Sequence, residues 1–132
     1  MATTERFILS AILLDDAQFI QVAGQLAPED FSLEKHRMIF ARMSDLSDQQ
    51  EKIDRVTLAN ELLKKGQLEA VDGLSYLVSL DEGLPAIFNL DSYIRLVKEK
   101  STLRRIVFTA QGMIDRALRG EEDSQQILAT AE

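Results

Sequence analysis

The run from Asn89 to Arg119 constrains this chain more than any other stretch. It contains no proline, its first glycine is Gly112, and Gly120 follows its end. As one helix it would be about 45 Å long at 1.5 Å per residue, more than a small helical domain needs to cover its core. Tyr93, Leu96, Leu103, Val107, Ala110, Ile114 and Ala117 recur in steps of three and four around a gap at Lys100, a near-heptad seam. Leu90, Ile94 and Val97 widen the stripe over the first half only. The pattern predicts a first half packed on a globular head. The second half is expected to project, with one face kept for a partner helix.

Upstream, the periodicity and the breakers predict five shorter helices. The first is expected over Thr4–Leu14, with Phe7, Ile8, Ala11 and Ile12 recurring at helical spacing and Glu5 in its first turn. The second runs from Asp16 to Leu26, and Pro28 breaks it. The third spans Phe31 to Ser47 on Ile39, Phe40, Met43 and Leu46. Asp54 caps the fourth, whose inward residues read as Val56, Ala59, Leu62 and Leu63; Lys64-Lys65-Gly66 closes it with a left-handed glycine. The fifth covers Gly73–Glu82, with Leu74, Leu77, Val78 and Leu80 inward, and Asn89 caps the long helix. After Gly120, Glu121-Glu122-Asp123 opens a last helix on Ile127, Leu128 and Ala131 that ends after about two turns, too short to stand alone. The expected architecture is all-α: a globular multi-helix head over residues 1–88, then a hairpin arm over 89–132 whose second helix is incomplete.

Charge and chemistry narrow the function. The net charge of −7 divides into −7 over residues 1–90, +4 over 91–120 and −4 over 121–132. An acidic head argues against wrapping nucleic acid, where phosphate neutralisation dominates affinity, so little direct nucleic-acid binding is expected. There is no cysteine, no apolar run of membrane-span length and no basic-then-apolar leader, which makes a cytoplasmic protein the default. The single histidine, His36, lies on the apolar stripe of the third helix and reads as a core residue rather than a base. One histidine without cysteine does not suit a zinc site. No glycine precedes a lysine, so the phosphate-binding P-loop is absent, and no nucleophile is spaced to a base. No catalytic residue, cofactor or metal site is expected in this chain.

Taken together, the segments resemble the N-terminal domain of DnaB-type replicative helicases. The resemblance begins with Glu5-Arg6-Phe7-Ile8-Leu9-Ser10-Ala11-Ile12-Leu13-Leu14-Asp15 and continues through Pro28-Glu29-Asp30-Phe31 and His36-Arg37-Met38-Ile39-Phe40. Ile53-Asp54-Arg55-Val56-Thr57-Leu58, Glu61-Leu62 and Gly66-Gln67-Leu68-Glu69 follow in register. So do Val71-Asp72-Gly73-Leu74-Ser75-Tyr76-Leu77, Pro85, Asn89, Tyr93-Ile94-Arg95-Leu96-Val97 and Leu103-Arg104-Arg105. Four departures stand out. Ser10 replaces a usual glycine, Asp72 replaces the first of a usual glycine pair, Ala86-Ile87-Phe88 is bulkier than usual, and the loop before Ile53 lacks its common glycine. They bear on loop geometry and partner contacts rather than on the fold.

The resemblance implies a non-catalytic domain whose hairpins pair between subunits into a collar of dimers arranged as a trimer above a hexameric motor ring. It also implies docking of the C-terminal domain of primase, and possibly of a helicase loader. ATP and magnesium would belong to a motor domain outside this sequence. On this reading the contact residues are Leu103, Val107, Ala110, Ile114 and Ala117, with Arg104 and Arg105 beside them. Two other readings stay open. A free-standing helical adaptor would regulate helicase or primase in trans, and the gene beyond Glu132 would separate it from a helicase collar. A small DNA-binding domain would use the basic arm and shift single-stranded DNA at low salt.

Overall fold

The computed structural model describes residues 2–86 and 88–131, so Ile87 of the Ala86-Ile87-Phe88 departure lies outside the described residues. Among those described, all regular structure is helical: α1 (Ala2–Leu14), α2 (Gln18–Ala23), α3 (Glu34–Asp48), α4 (Arg55–Lys64), α5 (Gly73–Ser79), α6 (Leu90–Arg119) and α7 (Ser124–Ala129). Two 3₁₀ turns, Pro28–Asp30 and Glu69–Val71, complete it. The chain forms two compact units, residues 1–98 (the head) and 99–132 (the arm), and α6 runs through the boundary. No described helix is long and apolar enough to cross a membrane.

The head is built on α3. Ile39, Phe40, Met43 and Leu46 of its expected stripe are all buried. They meet Ile8, Leu9 and Ile12 of α1, Phe19 and Val22 of α2, and Leu58 and Leu62 of α4 in one core. The Phe40 ring lies 5.4 Å from that of Phe19 and 5.0 Å from that of Phe31. The first turns of α6 add Ile94 and Val97 to the same core. Tyr93, in the half of α6 expected to pack on the head, sets its ring 5.9 Å from Phe7. Lys98 reaches the Asp30 carboxylate at 3.3 Å.

Several element ends differ from the sequence pattern for local reasons. The second helix starts only at Gln18 because Asp15 holds a turn, accepting the Ala17 amide at 3.1 Å, and it ends at Ala23 with Gly24 as its C-cap. The third starts at Glu34 rather than Phe31. Pro28–Asp30 forms its own 3₁₀ turn, closed by the Asp30 carboxylate on the Ala27 amide at 2.8 Å, and Phe31 is left extended with its ring in the core. The fifth ends at Ser79 rather than Glu82.

Four inward assignments are overturned. Val56 and Leu63 of α4 face solvent, as do Leu74 and Val78 of α5, while Leu58, Leu62, Leu77 and Leu80 are buried. Two apolar stripes compete on α4, and its anchoring selects one. Asp54 accepts the Thr57 amide at 2.9 Å at the N-cap, and Arg55 Nε donates to the Leu77 carbonyl at 3.1 Å. That rotation turns Leu58, Glu61 and Leu62 inward. Glu5 stands in the first turn of α1, as expected, and is fully buried. His36 is a core residue, as expected, with no exposure.

The caps follow expectation where glycine or a short polar side chain stands. Gly66 is left-handed at φ +67°, and the Ser92 amide donates to Asn89 Oδ1 at 3.1 Å. Outside glycine, positive φ occurs at Gln50 (+60°) and Asp72 (+67°). Both lie at departures noted above, one in the loop that lacks its common glycine and one at the first of the usual glycine pair.

Candidate interaction surface

The arm offers a helix face. Beyond Lys98 the only buried apolar side chain among the described residues is Ile127 of α7, while Leu103, Ile106, Val107, Phe108, Ile114 and Leu118 of α6 are exposed. At 100° per residue, Leu103, Val107, Ala110, Ile114 and Ala117 fall within roughly 80° of one another. All five are exposed, so the expected seam is one continuous open face.

The face is wider than the heptad reading gave. Ile106 stands about 60° to one side of Leu103 and Leu118 about 60° to the other. Both are apolar, but a strict seam of threes and fours passes over them. Phe108, 79% exposed, stands apart from the stripe at about 140°. Arg104 and Arg105 are exposed beside the stripe. A groove along α6, lined by Thr102, Arg105, Ile106, Thr109, Ala110 and Met113, brings Arg105 and Ala110 together. Leu103, Val107, Ile114 and Ala117 lie outside it.

The turn that follows is pinned by charge. Gly120 takes φ +67°, a left-handed exit that glycine adopts without steric cost. Arg116 Nε and Nη2 donate to the two Glu122 oxygens at 2.8 and 2.6 Å, the planar fork that suits a carboxylate. The same guanidinium donates to the Thr130 carbonyl and hydroxyl at 3.1 and 2.7 Å. The hydrogen bond from Arg116 holds the Glu122 carboxyl below the usual range, against an opposing effect of burial and with help from the charges of Arg116 and Arg119. Asp123 caps α7 through the Gln125 amide at 2.7 Å. One arginine on α6 therefore ties both ends of α7.

Among the described residues no group of three or more His, Asp or Glu side chains is placed to hold a metal.

Residues 1–99 match the model of the DnaB-like helicase N-terminal domain. The chain is 36% identical over 128 residues to the replicative DNA helicase DnaB of Geobacillus stearothermophilus, covering 97% of this chain and 28% of that protein. It is 34% identical over 128 residues to the replicative DNA helicase DnaC of Bacillus subtilis, with the same coverage of 97% and 28%. The chain thus spans under a third of the length of these relatives.

Among solved structures, the N-terminal domain of DnaB helicase from Mycobacterium tuberculosis superposes with a TM-score of 0.91 at 29% identity, covering 99% of this chain and 93% of that one. The N-terminal domain of DnaB helicase from Helicobacter pylori, described with its interactions with primase, shares the fold. Its TM-score is 0.75 at 22% identity, over 88% of this chain and 90% of that one. The family match over residues 1–99, together with the all-helical fold among the described residues and 36% identity over 97% of the chain, leads to one conclusion: the chain belongs to the DnaB-like helicase N-terminal domain family.

Proposed function

We propose that this chain is a non-catalytic assembly and docking domain of a hexameric replicative DNA helicase. Its arm pairs with the arm of a second copy, and the dimers build a collar, a trimer of dimers, that receives primase. Helicase action, with ATP and magnesium, belongs to a motor domain elsewhere in the parent protein, working in the cytoplasm on DNA that this domain itself scarcely binds. A helicase loader is a further candidate partner.

One observation carries the reading: α6 keeps Leu103, Ile106, Val107, Ile114 and Leu118 in solvent on one side. Large apolar side chains gathered on one helix face lose free energy when covered, at about 25 cal/mol per Å² of apolar area removed from water. Primase as the second partner is supported by the Helicobacter pylori domain, whose structure is described with its interactions with primase.

The test is self-association of Leu103→Asp and Ile114→Asp, read by light scattering beside far-UV circular dichroism. Each charge on the stripe is expected to weaken association while helicity stays at the wild-type level, and to weaken capture of a primase C-terminal domain in the same concentration range. If both variants associate like wild type, the stripe is not the interface.

A further inference from the structure

The head contains a buried polar chain, apart from the exposed face of α6. Glu5 of α1 and His36 of α3 have no solvent exposure, and Glu5 Oε1 lies 2.8 Å from His36 Nδ1. The other Glu5 oxygen accepts the Ser32 amide at 2.8 Å. Across the ring, His36 Nε2 lies 2.6 Å from the Tyr76 hydroxyl of α5. One layer out, Lys35 Nζ stands 3.8 Å from the centre of the Tyr76 ring and 3.1 Å from Asp72.

Burial by itself raises the Glu5 carboxyl, but the hydrogen bonds from His36 and Ser32, with the charge of His36, outweigh it and hold the group below its ordinary value. Glu5 is therefore an anion. An ionised carboxylate only accepts, so the hydrogen between Glu5 and His36 sits on Nδ1. When the ring is neutral, Nε2 has no hydrogen and must accept from Tyr76. The Tyr76 hydroxyl keeps its proton to supply. Burial pushes its pKa up, against the nearby charges of Lys35 and Arg6, and Asp72 adds to the rise.

We propose that Glu5 sets the tautomer of His36, and through it the direction of the Tyr76 hydrogen bond, making these three side chains a latch that fastens α5 to the core. A helix as short as Gly73–Ser79 does not persist on its own propensity. It also carries Leu74 and Val78 outward, so the latch fixes how those two side chains are presented. The latch rests on side-chain geometry and stands whether or not the arms pair.

The experiment is nitrogen-15 NMR of the 132-residue chain in mild alkali, below tyrosine ionisation, with amide exchange of Leu77 and Val78 followed beside that of Phe40 and Met43. The neutral His36 ring is expected to carry its hydrogen on Nδ1. Tyr76→Phe is expected to speed exchange on α5 roughly tenfold, the upper range for one lost hydrogen bond, with α3 unchanged. Glu5→Gln has a single carbonyl oxygen. If it keeps the Ser32 amide, its NH₂ faces Nδ1 and the histidine hydrogen moves to Nε2. Should Glu5→Gln fail to fold, the wild-type ring and Tyr76→Phe decide alone. A wild-type ring with hydrogen on Nε2, by itself or with Nδ1, overturns the proposal. So does an α5 whose exchange ignores Tyr76→Phe.

Discussion

The two units use helices for opposite ends. The head surrounds its helices with apolar neighbours on every inward face, and it satisfies Glu5 and His36 inside that core. The arm buries one apolar side chain, Ile127, among its described residues and leaves six large ones of α6 in solvent. Helical periodicity is as clear in the arm as in the head. Amphipathic sequence therefore announces that a face wants covering, and only the structure tells whether the same chain covers it.

The largest expected effect breaks that comparison at a matched pair of phenylalanines. Phe40 is 1% exposed between Phe19 and Phe31, whereas Phe108 is 79% exposed. Phe40→Ala should cost about 3–5 kcal/mol in urea denaturation, the range for a truncated buried phenylalanine. Phe108→Ala should stay within about 0.5 kcal/mol of wild type at protein concentrations where the chain is monomeric. Comparable costs at the two sites would mean that Phe108 is covered within its own chain.

A smaller effect contrasts the two carboxylates whose pKa is lowered, Glu5 in the head and Glu122 in the arm. A depressed carboxylate contributes stability above its unfolded value of about 4.3, and the contribution is lost as pH falls through the lower folded value. Both should therefore destabilise in acid, but differently in salt. The Glu5 site is enclosed, so its acid loss should survive added salt and disappear in Glu5→Gln. The Glu122–Arg116 pair is more open to solvent, so salt should screen it, releasing α7 as a local event without shifting the head's midpoint. A salt-sensitive Glu5 term, followed by proton NMR, would place that carboxylate nearer water than its burial implies.

The same contrast explains what the sequence made legible. The stripes of α1, α3 and α6 and the caps at Asp54, Gly66 and Asn89 depend on residues within a turn or two, so periodicity and cap chemistry expose them. The buried Glu5–His36 pair joins residues 31 positions apart, and nothing local distinguishes that glutamate from an exposed charge on a first turn. The rotation of α4 was hidden for a related reason. Val56 with Leu63 and Leu58 with Leu62 are both helical stripes, and Arg55 on the Leu77 carbonyl belongs to tertiary structure. In the arm, the five seam residues were readable as one face. Its flanks at Ile106 and Leu118 were not, since a two-position heptad seam is narrower than a helix face.

The smallest expected effect lies at the ends of two head helices built alike. At the end of α4, Gln67 N–H donates to the Leu62 carbonyl at 2.8 Å and Gly66 N–H to the Leu63 carbonyl at 3.0 Å, with Gly66 left-handed. At the end of α3, Glu51 N–H donates to Leu46 at 2.9 Å and Gln50 N–H to Ser47 at 3.0 Å, with Gln50 left-handed. Both are the same C-cap motif, in which glycine is preferred because a β-carbon crowds the backbone there. Gln50→Gly should therefore stabilise the head by roughly 0.5–1 kcal/mol, the steric relief exceeding the extra entropy of an unfolded glycine. Asp72→Gly should gain less or lose, because aspartate tolerates this region better than glutamine and Asp72 also holds Lys35 at 3.1 Å. Urea midpoints for the two variants decide it. A gain at Asp72 as large as that at Gln50 would mean that the Lys35 pair contributes nothing and that backbone geometry alone governs both turns.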